Sequence, residues 1–425
     1  MTFTDWIPSR KLEVAIIGGG PAGLATAIEL GKLDFIDWRL YEKKPAISEI
    51  GTGITLQRNT WRMLEFMGAA QHLSTEDFFR PNDVNGHYQQ HRNGRTGELL
   101  DEQRPRPGTP IHQHPCRAHR AKLQQALLKE VDPSRIRVGR KLTEISRIED
   151  GERLRLRFDD GSTDEVDILV GADGIRSTVR RFAFPEHRIT FTGSTAYRTV
   201  VKLDEAKKIS DIPQAAQFWH GTDAKWIYTC PLPGNDFEVT GKVKDPSGGG
   251  ERASWGRAAP AEAFAQAYAE FGPPLQQLLR LATCVRKFDF FAGGRLGAVT
   301  DAPRSVALVG DASHPLSGAF GAGAAFALED AYVLAGGLRW ARAGGRAAAD
   351  GLELFDRVRS PHYEALYATL DKSARAEKEL GTLGLEGDDE IRRRVEKVWS
   401  SQNSWMYYYE ADNALRDAIE ELRGR

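Results

Sequence analysis

The stretch EVAIIGGGPAGLATAIEL, residues 13–30, joins a short β-branched run to three glycines and then to an Ala/Leu-rich helical segment. Apolar residues at 14–17 read as a buried strand, and the run after Pro21 reads as a helix. Between them lies Gly18-x-Gly20-x-x-Gly23. Glycines at this spacing permit a tight turn, close approach of backbone to a pyrophosphate, and close helix–sheet packing. The helix N-terminus then faces the phosphates with free N–H groups and the positive end of its dipole. Glu42 closes the next strand, residues 38–41, and follows Gly23 by 19 residues. That offset suits an acid that accepts a hydrogen bond from an adenosine ribose hydroxyl. Strand, glycine turn, helix, strand and acid together predict a dinucleotide-binding α/β unit.

Working outward, the chain leaves this unit. Residues 78–110 turn polar and rich in Gly, Asn, Arg and Pro. Residues 118–128 read as a helix, and 135–170 alternate apolar with polar positions around turns at Asp150-Gly151 and Asp160-Gly161, the pattern of antiparallel strands. Residues 185–245 carry strand-like segments such as TAYRTVVKL and KWIYTCPL, and DPSGGGER (245–252) reads as a flexible loop. A helix is expected near 260–281. The buried-strand pattern then returns at 304–315, RSVALVGDASHP, followed by a helix at 324–338 and a charged helical remainder. The expected fold is α/β: a discontinuous Rossmann-like domain (1–77, 111–184 and 285–350), an inserted β-rich substrate domain (78–110 and 185–284) and C-terminal helices (351–425).

Composition narrows the function. Among 425 residues, 58 Lys and Arg against 59 Asp and Glu leave a net charge of −1, so no electrostatic drive toward nucleic acid or an anionic membrane exists. No apolar run reaches the roughly 18 residues of a membrane span. The three cysteines, Cys116, Cys230 and Cys284, form no CxxC pair, which argues against a disulfide framework and a cysteine-rich zinc site. The N-terminal MTFTDWIPSRKLE lacks the apolar core of a signal peptide. The expectation is a cytoplasmic protein, monomer or homodimer.

Two further blocks identify the dinucleotide. ILVGADGIRSTVR (168–180) sets Asp173-Gly174 after a buried strand, and SVALVGDASHP (305–315) sets Gly310-Asp311 after another. With GxGxxG first, a DG block second and a GD block third, the chain resembles the FAD-dependent aromatic hydroxylases of the p-hydroxybenzoate hydroxylase type. It is most similar to the salicylate-hydroxylase-like branch, including fungal monooxygenases of phenolic polyketides. EIGTGITLQRNTWRMLE (49–65), AHRAKL (118–123), GDASHPLSGAFGAGAAFALEDAYVL (310–334) and WMYYYEAD (405–412) carry that likeness across nearly the whole chain.

The resemblance implies FAD as cofactor and NADPH or NADH as a transient co-substrate. No second strand–GxGxxG–helix unit is present to hold the nicotinamide nucleotide in a domain of its own. Carried over, Glu42 would hold the adenosine ribose beside the loop of Gly18, Gly20 and Gly23. Gly53, in the EIGTGI segment, would also bind the cofactor, and Arg120 would reach the pyrophosphate and ribityl region. Asp173 would serve both FAD and nicotinamide docking, and Asp311 the ribityl chain. Gly321 and Gly323 would pass close to the isoalloxazine, and the helix from Ala324 would point its positive end at the flavin. Relatives often place a proline ahead of the GD-block glycines where this chain reads Leu316-Ser317-Gly318-Ala319.

The implied reaction is hydroxylation of a small phenolic substrate by O2 through a flavin C4a-hydroperoxide, with decarboxylation or dearomatisation in some relatives. Arg198 and Tyr228, on two strands of the inserted domain, match an Arg/Tyr pair that resembling hydroxylases use on the phenol. A solvated strand arginine and a core tyrosine are the plain alternatives for these two. Epoxidation, indole oxidation and a non-catalytic FAD-fold protein stand as alternatives to the activity. His112 and His114 form HxH near His87, His91 and His119, but no carboxylate or cysteine at ligand spacing joins them, so no metal is expected. Trp405, Tyr407, Tyr408 and Tyr409 read as an aromatic packing face.

Overall fold

The computed structural model describes residues 10–48, 53–81, 88–148, 153–213, 215–245, 256–316, 318–399 and 401–424. Strand Leu12–Ile17 is apolar almost throughout and pairs in parallel with Ile168–Gly171 on one side and Ile36–Glu42 on the other. Val306–Leu308 and Ile136–Val138 complete a five-stranded parallel sheet, with the GxGxxG strand at its centre. Strands buried on both faces need such continuous apolar runs. Helices Pro21–Gly31 and Gly323–Ala343 pack on one face, where Leu24, Ile28, Phe326 and Leu334 are buried. A three-stranded antiparallel sheet covers the other, built from Leu142–Arg147, Leu154–Phe158 and Thr163–Val166. Asp160-Gly161 makes one of its turns, with Gly161 at φ +83; the turn expected at Asp150-Gly151 and most of the loop 245–252 lie outside the described residues.

A second sheet of eight strands is separate from the first. Its order is Arg257–Ala259, Val285–Gly293, Ile189–Lys202, Asp236–Lys244, Trp226–Leu232, Gln217–His220, Gln89–Asn93 and Leu99–Gln103. Pairing is antiparallel except between Gln217–His220 and Gln89–Asn93. Because side chains alternate along a strand, Val201, Trp219, Ile227, Phe237 and Val239 bury one face against Phe264, Tyr268 and Leu278 of helices Ala261–Ala267 and Pro273–Arg280. The single helix expected near 260–281 is thus two, since Gly272 and Pro273 interrupt it.

The opposite face of this sheet turns toward the FAD-type domain. A small sheet of Gly53–Leu56, Cys116–His119 and Phe78–Phe79 stands between them. Helix Ala348–Thr382 and helix Gly387–Val398 follow, then a 3-10 segment, Ser401–Tyr408, and helix Ala411–Arg423. Of the late aromatics, expected within the helical remainder, Trp405, Tyr407 and Tyr408 sit in the tighter 3-10 turn and Tyr409 directly follows it. No described helix is long and apolar enough to cross a membrane.

Candidate active site

The dinucleotide loop has the geometry its glycines require. Gly18 adopts φ +112, and a Cβ there would meet the Ala172 carbonyl oxygen at 2.3 Å. A Cβ on Gly23 would sit 1.8 Å from the Gly18 oxygen, so the helix can approach only without one. Gly20 differs: nothing lies within 4 Å of its would-be Cβ. Helix Pro21–Gly31 has no side-chain cap, and Pro21 at its start has no N–H to satisfy. An open concavity at an uncapped helix N-terminus fits a pyrophosphate. Glu42 is buried beside it, its two oxygens accepting the N–H groups of Gly19 at 2.7 Å and Lys44 at 2.8 Å. Gln124, from helix Arg120–Leu128, donates to the Gly19 carbonyl at 3.2 Å.

Arg120 opens that helix, where a cation opposes the dipole. Its charge reaches both Asp311 and Arg198. Asp311 is exposed on one side yet crowded by protein on the others; this burial pushes its carboxyl up, against the pull of Arg120 and Arg180. A Cβ on Gly323 would lie 3.7 Å from Asp311 Oδ1, so the carboxylate stands by the uncapped start of helix Gly323–Ala343. Ala324 is buried in the first turn of this helix. Gly318, Phe320 and Gly321 all have positive φ, a strained choice for Phe320. The Tyr407 hydroxyl donates to the Phe320 carbonyl at 2.8 Å.

Asp173 turns inward. Its carboxylate accepts the Thr178 N–H at 2.6 Å and the Val179 N–H at 3.3 Å, plus the Ser177 hydroxyl. It organises the turn into helix Thr178–Ala183, and burial raises its carboxyl despite those donors. Arg180 links the DG block to the GD block, donating to the carbonyls of Ile175, Asp311 and Ala312.

On the eight-stranded sheet, Arg198, Thr240, Tyr228, Phe218 and His91 fall in one cross-strand row. The two residues proposed from sequence are thus neighbours through Thr240. Arg198 Nε donates to Thr240 Oγ1 at 3.2 Å, and its guanidinium lies over Phe288 at 5.3 Å. Burial lowers the Arg198 pKa, partly offset by Glu238. Tyr228 is buried between Phe218, at 4.9 Å, and the Arg117 guanidinium, 5.0 Å from its ring centre. Burial pushes its hydroxyl well above the ordinary tyrosine range, and the thiol of neighbouring Cys230 is pushed up to about 12 by its own burial.

Several residues had no sequence signal. Glu238, fully buried, receives Arg117 Nε at 2.9 Å and Nη2 at 2.7 Å on one oxygen and Thr240 Oγ1 at 3.1 Å on the other. Burial alone would raise its carboxyl; Arg117 and Arg198 overcome that and hold it below the usual range. A Cβ on Gly53 would lie 2.3 Å from Arg117 Nε and 2.4 Å from Glu238 Oε2, so glycine here leaves room for this ion pair. Trp399 packs tilted against Phe218 at 4.8 Å and edge-on to His220 at 4.9 Å, beside one end of the row. Only strand alternation at 238 and 240 hinted that these side chains share the face of Tyr228.

The histidines scatter into separate roles. His91 Nδ1 meets His220 Nε2 at 2.9 Å, His114 meets the Thr109 carbonyl, and His112 pairs with Glu65. Among the described residues no group of three His, Cys, Asp or Glu is arranged for a metal; His87 lies outside them.

The sequence family described as an FAD binding domain matches residues 11–249. The chain belongs to this family of FAD-dependent monooxygenases. It is 28% identical over 99% of its length, and 93% of the relative's, to the 6-methylsalicylate 1-monooxygenase of Aspergillus terreus. Over 76% of its length, and 80% of the relative's, it is 33% identical to the 2-heptyl-3-hydroxy-4(1H)-quinolone synthase of Pseudomonas aeruginosa. A salicylate hydroxylase solved with substrate shares the fold of this monooxygenase, with TM-score 0.79 at 24% identity over 96% of this chain and 98% of that one.

Proposed function

We propose that this monooxygenase uses NAD(P)H and O2 to hydroxylate a small phenol held on the Arg198–Thr240–Tyr228 row. The observation that carries the reading is the juxtaposition of Arg198, Arg117 and Tyr228 on one buried face, with Arg120 near enough to act electrostatically on both Arg198 and Asp311. The phenols named for relatives support the same class. Gly18, Gly20, Gly23, Glu42, Gly53, Arg120, Asp173, Asp311, Gly321, Gly323 and Ala324 line or brace the FAD site in this reading. Bound FAD, reduced by NAD(P)H, supplies the activated oxygen.

The protein's own part is to bind the phenol, favour its anion and keep water out. Two guanidinium groups against one carboxylate, Arg198 and Arg117 against Glu238, leave the face one positive charge in excess. A positive site lowers the pKa of a bound phenol and so raises ring nucleophilicity. Phe218, Trp226 and Trp399 supply an apolar wall. In this reading the division is 1–77, 111–184 and 285–350 against 78–110 and 185–284, with helices beyond 351, corrected at 285–293 because strand Val285–Gly293 belongs to the substrate sheet, and the reaction lies between the two sheets. A cytoplasmic monomer or homodimer completes the reading.

The test is consumption of NADH and NADPH by the yellow protein with a panel of phenols, including salicylate, 6-methylsalicylate and acyl resorcinols, with product masses. A product one oxygen heavier supports hydroxylation, and loss of a carboxyl or of ring absorbance distinguishes decarboxylation from dearomatisation. If no phenol accelerates NAD(P)H oxidation, the phenol assignment fails.

A further inference from the structure

Glu238 makes contacts that a simple core carboxylate has no reason to make. Its strand, Asp236–Lys244, runs between the strands of Arg198 and Tyr228. Phe237 and Val239 point into the helix-covered core, which leaves Glu238 and Thr240 on the site face. Arg117 grips one oxygen through two nitrogens and spends Nη1 on Thr55 Oγ1 at 2.8 Å. The other oxygen takes the Thr240 hydroxyl, which in turn accepts Arg198 Nε; that nitrogen stands 3.8 Å from Glu238 Oε1. Arg198 therefore has its inner edge fixed, while no hydrogen bond within the described residues engages its terminal nitrogens. Those are the donors that form a fork on an oxyanion.

The chain Thr55–Arg117–Glu238–Thr240–Arg198 also crosses between layers. Thr55 and Arg117 lie on the small sheet whose second strand leads into Arg120, and Glu238 and Arg198 lie on the substrate sheet. Gly53 makes room at the crossing. A buried ion pair contributes little net stability against an apolar replacement, so its placement calls for another role.

We infer that Glu238 is a positioning residue that acts through Thr240 to aim the terminal nitrogens of Arg198 at the substrate oxygen. This rests on the proposed phenol hydroxylation. Arg198 without it retains its charge but loses its fixed edge, and a flexible guanidinium binds and orients a phenolate less well.

The experiment compares Glu238→Gln, of equal shape but uncharged, with Glu238→Asp and Thr240→Val. The last removes the hydroxyl that joins Glu238 to Arg198 and leaves the Arg117 pair in place. With whichever panel phenol the wild type hydroxylates, Glu238→Gln and Thr240→Val are expected to raise KM at least ten-fold. Product formed per NAD(P)H falls with it, and Glu238→Asp recovers part of both. In an Arg198→Ala background, Glu238→Gln adds less than two-fold, because its effect passes through Arg198. A KM and product yield within two-fold of wild type in Thr240→Val, or an undiminished Glu238 effect without Arg198, overturns the inference. A crystal structure of Thr240→Val decides the same point with no substrate: Arg198 is expected to leave its place beside Glu238, and an unmoved guanidinium overturns the inference. A wild type inert to every phenol sinks the hydroxylase reading instead and leaves the crystallographic arm to judge Glu238.

Discussion

Arg180 and Ala312 are joined by a buried hydrogen bond of 2.8 Å from guanidinium Nη1 to the backbone carbonyl. One belongs to the DG block and the other to the GD block, far apart in the chain but each just beyond one of two neighbouring parallel strands, Ile168–Gly171 and Val306–Leu308. The same guanidinium also takes the carbonyls of Asp311, at 3.1 Å, and Ile175. A single side chain thus fixes where Asp311 emerges relative to Asp173.

Arg180→Ala leaves those carbonyls without donors, at about 1–3 kcal/mol for each that stays dry. The expected outcome is a lower Tm and FAD affinity reduced by at least ten-fold, read from flavin fluorescence released on dilution. Arg180→Lys recovers less than half of the loss, since an ammonium lacks the planar fork. Full FAD retention in Arg180→Ala would show that the two blocks hold their spacing without the staple.

The glycines of the first loop separate by substitution. Gly23→Ala forces a methyl to within 1.8 Å of the Gly18 oxygen, so backbone has to move and the apoprotein loses stability. Gly20→Ala meets nothing within 4 Å and its backbone, φ −76, suits alanine. Apoprotein stability is therefore expected to stay within about 0.5 kcal/mol, while the methyl intrudes on the pyrophosphate and FAD affinity drops more than ten-fold. Thermal unfolding of FAD-stripped protein beside FAD titration checks both halves.

What the sequence disclosed follows from distance along the chain. The GxGxxG loop, Glu42 and the two later blocks were legible because short motifs carry local backbone requirements. Arg198 and Tyr228 were legible only as strand residues matching a related pattern. Glu238, Thr240, Arg117 and Trp399 were not, because their meaning comes from cross-strand register and from a clamp between separate sheets. The resemblance makes Gly53 a cofactor-binding glycine, yet the atoms its missing Cβ would strike belong to Arg117 and Glu238. The resemblance assigns Asp173 to FAD and nicotinamide docking, whereas its carboxylate is engaged by the backbone of its own turn.

A buried charge cluster behind the GD block predicts a pH dependence. Arg359, fully buried, faces two adjacent carboxylates, Glu329 at 3.0 Å and Asp330 at 2.7 Å, and Asp330 also accepts the Gly310 N–H at 2.8 Å. One cation for two carboxylates in a dry core leaves a proton on the pair. Burial pushes Glu329 up to about 7 from an ordinary 4.5. Because the folded pKa lies above the unfolded one, its stabilising contribution is present below 4.5 and lost as pH rises to about 7. Buried His91, His220, His314 and His362 have lowered pKa values and act oppositely, losing stability as pH falls below 6.5. Subtracting the two curves isolates Glu329. Glu329→Gln is expected to gain on wild type between pH 5 and 8, by on the order of 3 kcal/mol if all the shift is realised. A pH-independent difference between the two denaturation series would place the proton elsewhere.

Tyr228 tests how much of the site is ring and how much is hydroxyl. Its ring is held between Phe218 and Arg117, so Tyr228→Phe keeps the packing and the cation–π contact while removing one buried oxygen. If the hydroxyl donates to the phenol oxygen in the transition state, Tyr228→Phe lowers kcat by about 10–100-fold with KM within three-fold, the pattern of an interaction made mainly at the barrier. Arg198→Ala is expected to differ, raising KM strongly and diverting NAD(P)H oxidation from product to hydrogen peroxide while FAD remains bound. Tyr228→Ala removes ring and hydroxyl together, opens a cavity under Arg117, and costs about 3–5 kcal/mol of stability. Steady-state kinetics, peroxide yield and unfolding of the three variants separate these roles. Equal kcat for Tyr228→Phe and wild type would reduce Tyr228 to a packing residue and leave Arg198 as the group that meets the phenol oxygen.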